Sequence, residues 1–145
     1  MATVRDLLAT KGTAVISIAP NATVLEAAQL MNERGIGGVL VMDDDQHLIG
    51  IFTERDILRR VVAADKAPAS TRVSEVLTTA VVTCQPETTI DECGAIMTSR
   101  RVRHLPVIDA RGVRGLVTSG DVLAFRVSDQ ESTIQHMNSY MFNTR

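Results

Sequence analysis

The sequence predicts an α+β fold (mixed α/β), made of two β-α-β-β-α units packed face to face about a pseudo-two-fold axis. Three observations predict it. Residues 16–62, ISIAPNATVLEAAQLMNERGIGGVLVMDDDQHLIGIFTERDILRRVV, return in outline as residues 82–127, VTCQPETTIDECGAIMTSRRVRHLPVIDARGVRGLVTSGDVLAFRV. A repeat of this length marks a duplicated structural unit. Each copy mixes short apolar runs with stretches of helical periodicity. Each also ends in the same corner, a glycine-led apolar strand running into Thr-x-x-Asp: GIFTERDIL at 50–58 and GLVTSGDVL at 115–123.

The copies align residue by residue. Pro20, Thr23, Glu26 and Met31 match Pro86, Thr89, Glu92 and Met97, and Arg34, Val41 and Asp43 match Arg100, Val107 and Asp109. One residue is dropped in the second hairpin turn, after which Gly50, Thr53, Asp56 and Leu58 match Gly115, Thr118, Asp121 and Leu123. The lead-ins also agree, TVRDLL (3–8) with TRVSEVL (71–77). The organisation expected is a first repeat with its lead helix over 1–66, a second repeat over 67–128, and a C-terminal helix or tail over 129–145.

Within the first unit, Val15 to Ile18 is a short β-branched strand ended by Pro20. Thr23-x-x-Glu26 is a capping box, and Val24, Ala27, Ala28 and Met31 follow at helical spacing. Gly38 to Met42 is a continuous apolar strand, the acidic run from Asp43 with Gln46 is a hairpin turn, and Leu48 to Phe52 returns. Thr53 opens a helix to about Ala63 with Ile57, Leu58 and Val61 directed inward. The second unit repeats this order after a polar linker, ADKAPASTR (64–72). In the tail, Ile134, Met137, Tyr140 and Met141 follow helical spacing and predict a final amphipathic helix, placed either on its own module or at a subunit contact.

Bulk properties narrow the function. A chain of 145 residues is one domain, or two units too small to be comfortable alone. Aromatic content of 3% without Trp gives no stacking platform for single-stranded nucleic acid. A net charge of -2 gives no overall attraction to nucleic acid or anionic membrane. No apolar run approaches a membrane span, and the N-terminus has no secretory pattern, so the expected location is cytoplasmic. Cys84 and Cys93 have neither CxxC spacing nor an evident histidine partner, and read as small apolar core residues. His47, His104 and His136 have no metal-ligand spacing, and there is no GxSxG elbow or GxxxxGK[ST] loop. The DDDQH run lacks the glycine and distal glutamate of a calcium loop. No catalytic residue and no metal site are expected.

The order of elements, the RHLPVID segment (103–109) and the doubled corner resemble a tandem pair of cystathionine-β-synthase (CBS) domains, also called a Bateman module. The resemblance covers about Val4 to Val127. It implies regulation: such modules bind adenosine-containing ligands (AMP, ADP, ATP, NAD, S-adenosylmethionine) and often dimerise into a flat disc. The resemblance implies clefts shared between units. The Asp121 cleft would gather Thr118, Asp121, Arg103 and His104 with Thr13, Val15, Ile36, Gly37 and Gly38. The Asp56 cleft would gather Thr53 and Asp56 with Ala80, Val81, Val102 and Arg103. The chemistry of the corner agrees, because a helix N-terminus suits a phosphate and a carboxylate beside it can accept both hydroxyls of a ribose. The same pattern also reads as two ordinary capping boxes. Arg103 and His104 stand where the first unit has Gly37 and Gly38, which places charged phosphates at the Asp121 cleft on this reading. Two functions stay open: a homodimeric regulatory module that binds AMP, ADP, ATP or NAD (S-adenosylmethionine less well) and acts on a separate protein, or a dimerisation scaffold with empty clefts.

Overall fold

The computed structural model describes residues 1–142; Asn143 to Arg145, the end of the tail, lie outside the described residues, as do the side chains of Tyr140 and Phe142. The chain runs α1 (Val4–Lys11), β1 (Ser17–Ile18), α2 (Val24–Arg34), β2 (Gly38–Met42), β3 (Leu48–Thr53) and α3 (Glu54–Asp56). It continues through α4 (Val73–Val76), α5 (Ile90–Arg100), β4 (His104–Asp109), β5 (Gly112–Thr118) and α6 (Ser119–Phe142). Strands β1, β2 and β3 form one sheet, with β1 parallel to β2 and β3 antiparallel to it; β4 and β5 form a second antiparallel pair. The duplication reaches fine detail. Both hairpins carry a register shift at matching places, Val41/Met42 and Val107/Ile108. Cys84 bridges Val107 as Ile18 pairs with Val41.

The lead-ins are exchanged between the units. The apolar face of α1, Val4, Leu7 and Leu8, is buried with Ile90, Cys93, Leu105 and Val107 of the second unit. The matching residues of α4 and its end, Val73, Val76 and Leu77, are buried with Val24, Ala27, Val39 and Phe52 of the first. Backbone bonds repeat the exchange: Val4 N–H donates to Thr88 O and Ile90 N–H to Ala2 O, while Val24 N–H donates to Thr71 O and Val73 N–H to Ala22 O. Residues 1–66 thus hold a helix that belongs by chain to the first repeat and by packing to the second. A unit of about 60 residues buries too little apolar surface alone, and the exchange makes each core depend on both halves.

Three local features depart from the sequence expectation, the first strand, the helix after Thr53 and the tail, while the two cysteines are buried as expected. The first strand is two residues long, and its counterpart at Cys84 is a bridge, because Pro20 and Pro86 remove backbone donors just beyond. The helix after Thr53 is α-helical only over α3 and then widens into a π-helical turn, Ile57–Val62, with Ala63 N–H donating to Leu58 O. In that winding Val61 is fully buried, but Leu58 and Val62 lie outside, each 61% exposed, so Leu58 is not inward as its spacing suggested. The tail is no separate helix. It continues α6 unbroken, since the chain has no proline after Pro106 and no glycine after Gly120. Cys84 and Cys93 are both buried in the second core, and the hydrogen bond Cys84 shares with Cys93, then its burial, push its thiol far above the usual range.

Gly50 and Gly115 mark where the exchanged lead-ins press on β3 and β5. A Cβ on Gly50 would collide with Leu77 Cδ1 and the Thr78 carbonyl oxygen, which is backbone and cannot yield. A Cβ on Gly115 would meet Leu8 Cδ2 at 3.0 Å and Cδ1 at 3.1 Å, the movable end of a side chain. We therefore predict that Gly50→Ala destabilises the fold by about 1–3 kcal/mol and Gly115→Ala by clearly less. Urea unfolding of the two variants checks this, and equal losses would show that the lead-ins are not seated as described.

Candidate functional site

Each Thr-x-x-Asp corner is first of all a closed capping motif. Thr53 N–H donates to Asp56 Oδ2 at 3.0 Å, and Thr118 N–H donates to Asp121 Oδ2 at 2.8 Å. In return Asp56 N–H and Asp121 N–H donate to the threonine hydroxyl oxygens, at 3.4 Å and 3.1 Å. Each carboxylate then receives a second partner from the exchanged lead-in. The Thr78 hydroxyl donates to Asp56 Oδ1 at 3.0 Å, with Arg60 Nε 3.6 Å away. Lys11 Nζ donates to Asp121 Oδ2 at 2.6 Å and to the Leu116 carbonyl at 2.6 Å. Burial alone would push the Asp121 carboxyl up, but the Lys11 ammonium and the Thr118 donors hold it below its ordinary value.

Two clefts open between the units. The first, about 330 Å³, contains Thr53, Asp56, Val102, Arg103, His104 and Gly37. It also brings in residues that repeat alignment did not place there: Arg55, Arg59, Arg101 and Thr78, with Ile51 and Leu58 as apolar wall. The second, about 380 Å³, contains Val15, Ile36, Gly37, Gly38, Arg103, His104 and Thr118, joined by Lys11, Ala14 and Ile16. Both volumes fall in the range of small-ligand sites. Thr13, Ala80 and Val81 line neither cleft, and Asp121 is covered by Lys11 rather than open to the second. Lys11 and Thr78 escaped sequence reasoning because a lead-in swap is a tertiary fact. The arginines on α3 and its π-helical continuation, in TERDILRR, have no counterpart in the aligned TSGDVLAF, so the repeat gave no signal for them.

A shared wall separates the clefts. Arg103, His104, Glu54 and Gly37 border both. The glycines make the close approach possible: a Cβ on Gly38 would stand 3.0 Å from His104 Nε2, and one on Gly37 would stand 3.1 Å from Glu54 Oε1. The corners are pinned to this wall by equivalent bonds, Glu54 N–H to Gly37 O and Ser119 N–H to Arg103 O, each 3.0 Å. Burial lowers the His104 pKa from its ordinary value, Glu54 acts against that, and Lys11 and Arg103 reinforce it. At the far end of the first hairpin, Asp43, Asp45 and His47 cluster, but Asp43 Oδ1 accepts the N–H groups of Asp45 and His47 and so closes the turn.

Two pH effects follow from these directions. His104 has a folded pKa below the unfolded value, so the unfolded chain binds the proton more readily. Its contribution is complete above about pH 6.5 and lost as pH falls below it. A histidine ring titration by NMR should place the His104 midpoint below that value, and a midpoint at or above it would contradict the buried setting. Asp121 has a depressed folded pKa, so the Lys11 pair contributes above about pH 4 and is lost as pH falls through the folded pKa. Lys11→Met should cost about 1 kcal/mol or less at neutral pH, the pair being partly exposed. Unfolding curves should converge with those of the parent in acid, and a deficit unchanged at low pH would assign the loss to packing.

The geometry agrees with relatives of known family. The CBS domain matches residues 3–63 and 73–128. The CBS domain-containing protein YhcV of Bacillus subtilis is 31% identical over 95% of this chain and 99% of its own. A CBS-domain protein of Burkholderia ambifaria MC40-6, provisionally assigned to signal transduction, superposes with a TM-score of 0.84 at 39% identity, covering 89% of this chain and 96% of that one. The CBS domain pair of protein MJ0100, solved in complex with 5'-methylthioadenosine and S-adenosyl-L-methionine, superposes with a TM-score of 0.78 at 26% identity over 89% of this chain and 98% of that one. Two family matches on one chain, each unit completed by the other's lead-in, make this protein a member of the CBS domain family, carrying a tandem pair.

Proposed function

We propose that the chain is a non-catalytic regulatory module that binds an adenine nucleotide between its two units and signals occupancy by a change of conformation or assembly. The observation that carries this is the composition of the Asp56 cleft. One wall offers a carboxylate at a helix N-terminus, another the apolar Ile51, Leu58 and Val102, and the mouth holds Arg55, Arg59, Arg101 and Arg103. A ribose, a purine and a phosphate need those three chemistries in one place. The adenosyl ligands of protein MJ0100 support the same ligand class. AMP, ADP, ATP and NAD suit the arginines better than S-adenosylmethionine, whose sulfonium would face cations. The arginines lead us to rank the Asp56 cleft ahead of the Asp121 cleft, the reverse of the order the RRVRH cluster suggests by itself. We read the functional unit as a homodimer.

A second reading has a specific observation behind it. Both corner carboxylates already have partners within the chain, Thr78 and Lys11, so the fold is satisfied without ligand. On that reading the pair is a scaffold for assembly. Nucleotide binding at Asp56 would exchange the Thr78 hydroxyl for a ribose hydroxyl, close to neutral in hydrogen-bond energy. The gain must come from base burial and from the arginines.

A thermal-unfolding panel on nucleotide-free protein decides between these. A ligand at a hundred times its dissociation constant should stabilise the fold by about 2.7 kcal/mol. The stabilisation should fall steeply in Asp56→Ala and in Arg103→Ala, and only slightly in Asp121→Ala. No response to AMP, ADP, ATP or NAD would favour the scaffold. A response that survives Asp56→Ala but not Asp121→Ala would restore the second cleft to first place.

A further inference from the structure

α6 carries two apolar faces, and only one of them is used by its own chain. Val122 is buried and Phe125 packs beside it on the second core. Leu123, Val127, Ile134, Met137 and Met141 lie open, 44% to 64% exposed. With Gln130 filling the gap, these positions step alternately by four and three along the helix. That is a heptad seam: Val127, Ile134 and Met141 at the a places and Leu123, Gln130 and Met137 at the d places. Val122 and Phe125 then fall at c and f, on the side away from the seam. The body therefore occupies one side of the helix and leaves the other free along its length.

The helix also outruns the body. At 24 residues it is about 36 Å long, and every described side chain from Arg126 onward is exposed. A stretch like this gains nothing from packing on its own fold, and most helical stability in proteins comes from packing of an apolar face rather than from intrinsic propensity. A row of apolar side chains rimmed by polar ones marks an interaction surface.

The pattern specifies the partner. β-branched Val127 and Ile134 at a places with Leu123 at d favour a two-stranded pairing, and the polar Gln130 within the seam finds a hydrogen-bonding partner in the Gln130 of an in-register copy. Arg126 falls at a g place and Glu131 at the e place of the next heptad, so two parallel, in-register copies bring Arg126 of each against Glu131 of the other. Arg126 is held 3.2 Å from Asp91, a contact open to solvent and easily exchanged. We propose that α6 pairs with the α6 of a second copy of this chain as a parallel, in-register two-stranded coiled coil through Leu123, Val127, Gln130, Ile134, Met137 and Met141. The proposal rests on the homodimer part of the reading above and not on nucleotide binding.

The test uses the full chain. Met137→Cys places a thiol in the seam, and Ser139→Cys places one at an f place facing outward. Under mild oxidation Met137→Cys should convert almost wholly to a covalent dimer while Ser139→Cys converts several-fold less, the native Cys84 and Cys93 being buried. By light scattering the parent should be a dimer, and the double variant Ile134→Glu, Met137→Glu a monomer with unchanged circular dichroism from the folded body. A parent dimer that does not cross-link at position 137, or that survives the double glutamate change, overturns the α6 seam and leaves the homodimer standing on another face. A parent that is monomeric at tens of micromolar overturns both.

Discussion

The reciprocal exchange of lead-in segments is the constraint on which the rest of this structure depends. Val4, Leu7 and Leu8 complete the second core, and Val73, Val76 and Leu77 complete the first. Neither half can bury its apolar face without the other, so the clefts between them have fixed walls rather than a loose domain boundary. The same exchange delivers Thr78 to Asp56 and Lys11 to Asp121. Fold stability and the chemistry of the candidate sites therefore run through the same few residues.

Duplication builds two equivalent clefts, and a handful of substitutions make them different. The first lead-in sets Lys11 on its corner carboxylate and the second sets Thr78, from positions that do not correspond in the repeat. Where the second unit has Arg103 and His104, the first has Gly37 and Gly38. The glycines let His104 and Glu54 approach closely and so form a wall common to both clefts. The cation Lys11 lies on Asp121, while a neutral hydroxyl lies on Asp56. Displacing an ammonium from a partly buried carboxylate costs more than displacing a hydroxyl, because charge-assisted bonds are the stronger. That difference acts in the same direction as the arginines of the Asp56 cleft.

Much of this was legible in the sequence because it is local or periodic. The repeat, the two hairpins with their matching Gly50 and Gly115, and the Thr-x-x-Asp corners are all written in spacing. So were the buried roles of Cys84 and Cys93, which have neither metal nor redox spacing and read as small apolar residues. What escaped was tertiary. No spacing says that α1 packs on the far unit, so Lys11 was absent from the candidate residues while Thr13, Ala80 and Val81 were included. The π-helical turn that carries Leu58 outward was equally hidden, since helical periodicity assumes a fixed pitch. The tail looked separate because the repeat ends at Val127, but nothing chemical stops the helix there.

Under the proposed reading, occupancy at Asp56 must be communicated through what it displaces. A ribose hydroxyl that takes Asp56 Oδ1 removes the bond that holds Thr78, and Thr78 pairs with Ile51 of β3 through two backbone bonds of 2.9 Å. Those backbone bonds keep the lead-in in place, so the loss of one side-chain bond loosens it without undocking it. On the other side, Asp56 opens the π-helical turn whose outer face is Leu58 and Val62. A π-helical turn is a one-residue accommodation inside a helix, and rewinding it to α-helical pitch would rotate that outer face relative to the body. A ligand shifts this equilibrium only by its difference in affinity for the two windings. Leu58 lines the cleft and also stands on the outer face, so one side chain meets both the ligand and whatever lies outside. On that reading, the double position makes the corner at Thr53 the physical link between binding and surface.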